Sequence, residues 1–325
     1  MTADQIETLL RSKKSEDRIR AVGSIGSLSQ SEMLPLLLRA LSDKSNYVAA
    51  IAAKSLGDCA DTDAAADMRD RFDEVAMDGV RKDPGCHIRA NLAFAFGRLD
   101  YLPALLSLRQ GIRTIQIEAV GGVPFDTGAH LRANCALALA QLGDRDSLRD
   151  ISLLMFDSTS PQRNSRDAAA VKIEMRKTAA QALAILGDRG GCIPLSIKLV
   201  YPGGELPEVI QECMQSLVSL EDERAVEVLT PFLSDPDLGL SGYAALMLAS
   251  TNEPEALSVL RSAVTVAYGE QLKFLIIAIS THRSEEARDY LISLLKSDRE
   301  NVREIVRETL SESLDKITVS ALATP

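Results

Sequence analysis

With 46% apolar but only 4% aromatic residues and no tryptophan, this chain of 325 residues must build its core from small aliphatic side chains, which suits many thin packing layers better than one large core. A formal net charge of −10 argues against a general nucleic-acid-binding protein, because affinity for phosphates depends on lysine and arginine. The five cysteines are widely spaced, and the sequence has neither a signal-like N-terminus nor a long apolar run, so we expect a cytoplasmic protein with reduced thiols and no membrane segment.

One phrase of 14 residues recurs along the chain. LRANCALALAQLGD at 131–144 returns as MRKTAAQALAILGD at 175–188. We take the arginine of the phrase as an index position and require apolar or small residues three, six, seven and ten places later. Nine copies then align, with index positions at Arg18, Ala49, Arg89, Arg132, Arg176, Ile210, Ser241, Leu272 and Arg303. Four of the steps between them are 31 residues, which indicates a repeat protein.

Each copy places its apolar residues at helical spacing, which predicts a helix that packs by one broad face; we call it the B helix. A second apolar stretch, the A helix, separates successive copies. Because one pair of short helices cannot bury its own apolar stripe, stacking of nine pairs builds a continuous core. The ending LGD at 56–58, 142–144 and 186–188 predicts helix stops, since glycine can take the left-handed conformation that closes a helix.

The phrase resembles the HEAT-like repeats, particularly the short repeats of phycobilisome-lyase-type proteins. The copies at 131–144 and 175–188 match that pattern almost fully, and the others match it less closely. The resemblance implies an all-α, right-handed superhelical solenoid of about nine helical pairs, with the B helices on the concave side. We expect it to cover residues 1–316 as a single domain, with 317–325 as a frayed tail.

The same family often has an aspartate six residues before the index arginine, where the two side chains can bond and stiffen the turn. Asp83 precedes Arg89 in this way, and Asp126 precedes Arg132. Asp43 has the same position but faces an alanine at its own index position. A charge pair repeated from turn to turn predicts a structural role.

The repeat is enlarged in the middle of the chain. Units before the index positions 89, 132, 176 and 210 carry additions of 9, 12, 13 and 3 residues. Helical spacing continues through the first addition, so it is predicted to lengthen an A helix. The other three contain glycine, proline and serine, and they predict enlarged A-to-B loops near 114–130, 157–174 and 201–208.

The A-to-B turns of a solenoid emerge on one edge, so these loops are expected to be neighbours and to form a binding site. Residues 151–200 carry 7 basic and 4 acidic residues, whereas 201–325 carry 10 basic and 21 acidic residues. A basic edge would suit a carboxylate-rich or phosphorylated partner. The alternative interpretation is that the loops only cover a gap in the fold and bind no partner. The candidate binding residues of the loops are Phe125, His130, Arg163, Arg166, Lys172 and Tyr201.

The concave groove is a second candidate surface. Positions two, five and nine after each index residue share one helical face, and their mixture of polar and apolar side chains would suit an extended peptide or a helix. The alternative is that these residues merely form the less buried side of each B helix. The candidate groove residues are Asn91, Phe94, Arg98, Asn134, Leu137, Gln141 and Gln181.

Catalytic signatures are missing from the sequence. The three histidines lie in no metal-binding spacing, and no phosphate-binding loop or nucleophile elbow occurs. The di-iron hydroxylases with HEAT-like repeats need several His-Glu pairs, and this sequence has none. Cys86 and His87 are adjacent, but neighbouring residues on a turn usually point apart. We therefore predict no catalytic residue, cofactor or metal.

These observations favour a non-enzymatic scaffold or adaptor that binds another protein or peptide through the central loops, the concave groove or both. The alternative is a subunit of a lyase or modification enzyme of the phycobilisome-lyase type, which an accessible cysteine or histidine in the groove would favour. Nucleic-acid binding through the basic central edge is the weakest hypothesis, and it would show as strong salt dependence.

Overall fold

The computed structural model describes residues 1–59, 62–157, 166–251 and 253–313. Within these ranges the chain is an all-α solenoid apart from one β-hairpin. The A helices are α1 (Ala3–Leu10), α3 (Gln30–Leu41), α5 (Ala65–Ala76), α8 (Leu105–Gly111), α10 (Leu148–Leu154), α12 (Cys192–Val200), α14 (Ala225–Leu229), α16 (Pro254–Val266) and α18 (Glu285–Leu294).

The B helices alternate with them along the chain. They are α2 (Ser15–Ser24), α4 (Asn46–Cys59), α7 (His87–Arg98), α9 (Ala129–Gln141), α11 (Arg166–Leu186), α13 (Pro207–Ser219), α15 (Leu238–Thr251), α17 (Gly269–Thr281) and α19 (Glu300–Ser313). Every index position lies in a B helix, so the described residues confirm the prediction of nine pairs. A short helix, α6 (Gly79–Lys82), follows α5, and β1 (Ile117–Val120) and β2 (Val123–Asp126) stand between α8 and α9.

The chain divides into two compact units, Met1–Gly191 and Cys192–Pro325. In the first unit, α2, α4, α7 and α9 each contact the next B helix, and A helices such as α3, α5, α8 and α10 pack against this layer. In the second unit, α13, α15, α17 and α19 repeat the pattern. One continuous solenoid over 1–316 stays a prediction, and the tail at 317–325 lies outside the described residues.

Small residues allow the B helices to approach closely. Alanines occupy the fully buried positions 52, 93 and 136 in successive B helices, while Leu92 and Leu131 fill the core beside them. Gly57 belongs to this packing: a Cβ atom on it would lie 2.7 Å from the Cβ atom of Ala95. The core is therefore a stack of thin aliphatic layers.

The LGD endings behave in two ways. Gly143 and Gly187 have φ values of 69° and 64°, so they close α9 and α11 in the left-handed conformation as predicted. The prediction is wrong at Gly57, because α4 continues to Cys59. Close packing against α7, rather than a helix stop, explains the glycine there.

The predicted charge pairs form and are buried. Arg89 Nε lies 2.9 Å from Asp83 Oδ2, and Arg132 Nη2 lies 2.8 Å from Asp126 Oδ2. Asp43 binds instead the arginine of the preceding repeat, with 2.7 Å between Arg18 Nε and its Oδ2. The same kind of pair thus connects one layer to the next as well as stiffening a turn.

Three of the enlarged units differ from the prediction. The 114–130 loop is a β-hairpin followed by the start of α9. The prediction of a loop at 157–174 is wrong for residues 166–174, because α11 begins at Arg166 and so extends the B helix towards its N-terminus. Residues 201–206 form the turn between α12 and α13, which begins at Pro207. The first addition is helical, but it forms the separate helix α6 and does not lengthen the A helix, because α5 has 12 residues, as α3 does.

Candidate protein-binding surface

The β-hairpin is the largest departure from the repeat. Its strands pair antiparallel, with Ile117 opposite Asp126 and Glu118 opposite Phe125. Gly121 and Gly122 form the tip, and both have positive φ values, 60° and 85°, as a tight two-residue hairpin turn requires. The Gly-Gly pair between alternating apolar residues is a hairpin signal that the reading of this segment as a loop missed.

Glu118 fastens the hairpin to the preceding repeat. Its carboxylate oxygens accept the Gly85 N–H at 3.0 and 3.1 Å and the Thr127 hydroxyl at 3.0 Å, and the side-chain amide of Gln116 donates to the same carboxylate. Gly85 lies in the turn before α7. These bonds fix the hairpin base against a neighbouring layer.

Arg132 fastens the other side of the hairpin base. It lies 2.8 Å from Asp126 and 3.0 Å from Asp157, and it donates to the Thr114 carbonyl at 2.8 Å. Asp126 also accepts the N–H groups of Gln116 and Gly128. Since the arginine is only 3% exposed, the hairpin rests on a buried, charge-assisted network.

The hairpin presents apolar side chains to solvent on this fixed base. Ile117 is 48% exposed on one face of the hairpin, and Val123 is 41% exposed on the other. Phe125 is half-buried opposite Glu118. Ile117 and Val123 are thus apolar side chains left partly open to solvent on a hairpin whose base is fixed.

Two aromatic rings lie next to the hairpin base. Tyr47, 69% exposed, stacks on His87 with 6.2 Å between ring centroids and 28° between planes. The His87 ring in turn covers Gly85, where a Cβ atom would come within 2.5 Å of Nε2. Gly85 is the residue that Glu118 holds. The stack therefore adjoins the hairpin face that carries Glu118, Val123 and Phe125, and we call Tyr47, His87, Val123 and Phe125 the edge surface.

Tyr47 is the residue of this surface that the sequence interpretation missed. It stands two places before its index position, as do His87 and His130 before theirs. These three residues lie in the first turns of the successive B helices α4, α7 and α9, and His130 is exposed. Comparison of the residue two places before each index position would have identified this series of one tyrosine and two histidines.

The remaining loop candidates are not brought together by the described residues. Arg163 lies outside them, as do the side chains of Arg166 and Lys172. Tyr201 is 76% exposed at the end of α12, in the second unit. The basic central edge therefore stays a prediction.

The groove candidates lie on one face of the B helices, but several bond within the fold. The side-chain amide of Asn91 donates to the Ala50 carbonyl, and that of Asn134 donates to the Ala90 carbonyl, both at 2.8 Å. Each bond links one B helix to the preceding one. These asparagines therefore support the stack.

The other groove candidates are less buried. Arg98 pairs with Asp58 at 2.8 Å and lies 5.8 Å from the centre of the Phe94 ring. Gln141 is exposed, and Leu137 and Gln181 are half-buried. This face is thus a mixture of polar and apolar groups, much of it already engaged between layers.

We expect Asn91→Ala and Asn134→Ala each to lower the free energy of unfolding by about 1 kcal/mol, because each removes one hydrogen bond between layers. Urea denaturation followed by circular dichroism measures this. Gln141→Ala, on the exposed end of the same face, is the control and should change the stability by less than about 0.5 kcal/mol. Equal effects of all three variants would contradict the bonding role.

The thiol next to His87 is not activated. Cys86 is buried, and desolvation raises the pKa of its thiol to about 12 despite the nearby Arg89 guanidinium. Burial also raises the pKa of Cys135. Both thiols therefore stay protonated at neutral pH, which argues against nucleophilic catalysis by either. No group of three or more metal-ligating side chains occurs in the part of the chain that the structure describes.

The sequence profile of the HEAT repeats family matches residues 3–83. The resemblance predicted from the repeated phrase is confirmed, and the solenoid described above has the architecture expected for it. A comparison with curated protein sequences found no significant match.

Several solved structures are similar in fold. Human deoxyhypusine hydroxylase in complex with glycerol is 18% identical with a TM-score of 0.35, covering 86% of this chain and 95% of that one. Kap121p is 12% identical with a TM-score of 0.49, and 94% of this chain covers 37% of its length. The CpcE–CpcF complex of phycocyanin lyase from Nostoc sp. PCC7120 is 16% identical with a TM-score of 0.34, covering 95% of both chains. At such low identities the likeness concerns the fold alone.

None of the helices in the described ranges combines the length and apolar character needed to cross a bilayer.

Proposed function

We propose that this chain is a non-catalytic scaffold that binds another protein through the edge surface. Stacked repeats present extended surfaces and are suited to protein partners. The observation that carries the proposal is the hairpin: it is held by buried ionic contacts at its base, yet it exposes Val123 on the face next to Tyr47 and His87. Rigid presentation of apolar side chains reduces the entropy lost when a partner binds.

The composition of the surface also suits a protein partner. Tyrosine contributes a large contact area with a polar tip, and aliphatic groups beside it provide a dry centre for an interface. Tyr47 and Val123 supply these two kinds of group. The lyase-type alternative gains no support from Cys86 or Cys135, because both thiols are buried.

The experiment is a quantitative pulldown from lysate of the source cells. The test variant combines Tyr47→Ser and Val123→Ser. Its control combines Tyr268→Ser and Met77→Ser, which removes one tyrosine and one apolar side chain that are also exposed.

We expect the wild-type chain and the control to retain the same partner, and the test variant to retain about tenfold less of it, because a few central side chains dominate interface affinity. Circular dichroism should show equal helix content in all three. Retention of the partner by both variants alike would contradict binding through the edge surface.

A further inference from the structure

The second unit carries an open apolar groove between α12 and the segment formed by α14 and the 3₁₀ turn Thr230–Ser234. Its volume is about 500 Å³, in the range of sites that receive a ligand group. The apolar side chains that line it are Leu199, Val200, Pro202, Val228, Pro231 and Phe232. Val200 is 54% exposed, and Tyr201 beside it is 76% exposed. The groove therefore continues onto an apolar outer surface of α12.

One wall of the groove is fixed by a buried ion pair. Lys198 Nζ lies 2.8 Å from Glu205 Oε2, and both side chains are at most 10% exposed. Lys198 belongs to α12, and Glu205 belongs to the turn that carries Pro202. The groove is thus preformed, which favours binding of a side chain without a large ordering cost.

The rim of the groove is acidic. Glu227 is exposed on α14, and Asp235 is half-buried at the far end; neither forms an ion pair with any residue that the structure describes. Asp235 accepts only a backbone N–H, from Asp237, among the described hydrogen bonds. These two carboxylates are available to a cation.

The surrounding sequence adds to the negative electrostatic potential at the groove. Residues 201–260 contain 11 acidic residues and one basic residue, Arg224. Such a concentration of one charge raises the local concentration of an oppositely charged partner and repels a like one. A second copy of this chain and an anionic lipid surface are therefore both disfavoured at the groove.

We propose that this groove binds an extended segment of a partner protein in which one large aliphatic or aromatic side chain is flanked by lysine or arginine. The apolar side chain enters the groove between Val200 and Phe232, and the flanking cations pair with Glu227 and Asp235. This site is separate from the edge surface and does not depend on it.

The test uses a synthetic peptide with a central phenylalanine between two pairs of arginines, titrated into the full chain labelled at leucine and valine methyl groups. The peptide should shift the NMR signals of Leu199, Val200 and Val228. Replacing its phenylalanine by serine should weaken binding about tenfold, since burial of an aromatic side chain is lost. Shifts confined to other methyl groups, or equal binding of the serine peptide, would overturn the proposal.

Two charge-reversal variants distinguish specific pairing with the rim carboxylates from non-specific attraction of a basic peptide to an acidic chain. Glu227→Lys and Glu255→Lys make the same charge change in the first turn of an A helix, α14 and α16 respectively. We expect Glu227→Lys to weaken binding of the phenylalanine peptide at least about threefold more than Glu255→Lys, because only the first lies on the groove. Equal weakening by both would show only diffuse attraction and would overturn the proposal.

Discussion

Arg132→Met should lower the free energy of unfolding by about 3–5 kcal/mol, the usual effect of removing one partner from a buried ion pair. Arg132 lies 2.8 Å from Asp126 and 3.0 Å from Asp157, and all three side chains are at most 12% exposed. Methionine keeps much of the length of the side chain but removes the charge. The two carboxylates would then remain in the fold without this cation.

The measurement is urea denaturation of the full chain, followed by far-UV circular dichroism. Arg149→Met is the matched control, because Arg149 is exposed on α10 and forms no ion pair among the described residues. It should change the stability by less than about 0.5 kcal/mol. If the two variants are equally stable, the network does not hold the hairpin base as described.

Glu118→Ala should release the hairpin while leaving every exposed apolar side chain in place. Glu118 holds the Gly85 N–H and the Thr127 hydroxyl, and alanine offers no acceptor to either. Amide hydrogens paired between β1 and β2 should exchange at least about tenfold faster, because exchange of local structure follows the free energy of its opening. Affinity for the partner should fall as well, because a mobile hairpin must be ordered on binding.

Hydrogen–deuterium exchange of residues 117–126 measures this effect without knowledge of the partner. Glu118→Gln is the conservative control, since it keeps one carbonyl oxygen that can accept the Gly85 N–H. Its exchange should lie between those of the wild type and Glu118→Ala. Unchanged protection in Glu118→Ala would show that the strand pairing alone keeps the hairpin ordered.

The fold follows from the sequence because one physical requirement recurs in every repeat. The apolar spacing of the phrase at 131–144 specifies a helix that must be covered on one face, and the index positions locate all nine B helices. Prediction from sequence fails where the same residue type can serve two structural purposes. Gly57 has the same local pattern as Gly143, yet it allows Ala95 to approach instead of ending a helix.

The candidate surface was only partly predictable. Phe125 was found because it stands in an addition to the repeat, which marks a place where the chain departs from its simplest form. Tyr47 was missed because it lies inside a unit of regular length, and its stacking on His87 depends on contact between two layers. Such contacts between repeats depend on the helix-to-helix packing, which periodicity alone does not specify. The groove asparagines show the converse, since polar residues on a helix face proved to bond to the neighbouring helix.

Site-specific photocrosslinking in the source cells tests most directly whether the edge surface binds a protein. Tyr47 and Val123 are replaced one at a time by photoreactive benzoylphenylalanine, and Met77 and Tyr268, which are also exposed, serve as control positions. The account predicts an adduct with the same protein from positions 47 and 123 and none from positions 77 and 268. Adducts from the control positions alone, or equal adducts from all four, would contradict a binding role for the edge surface.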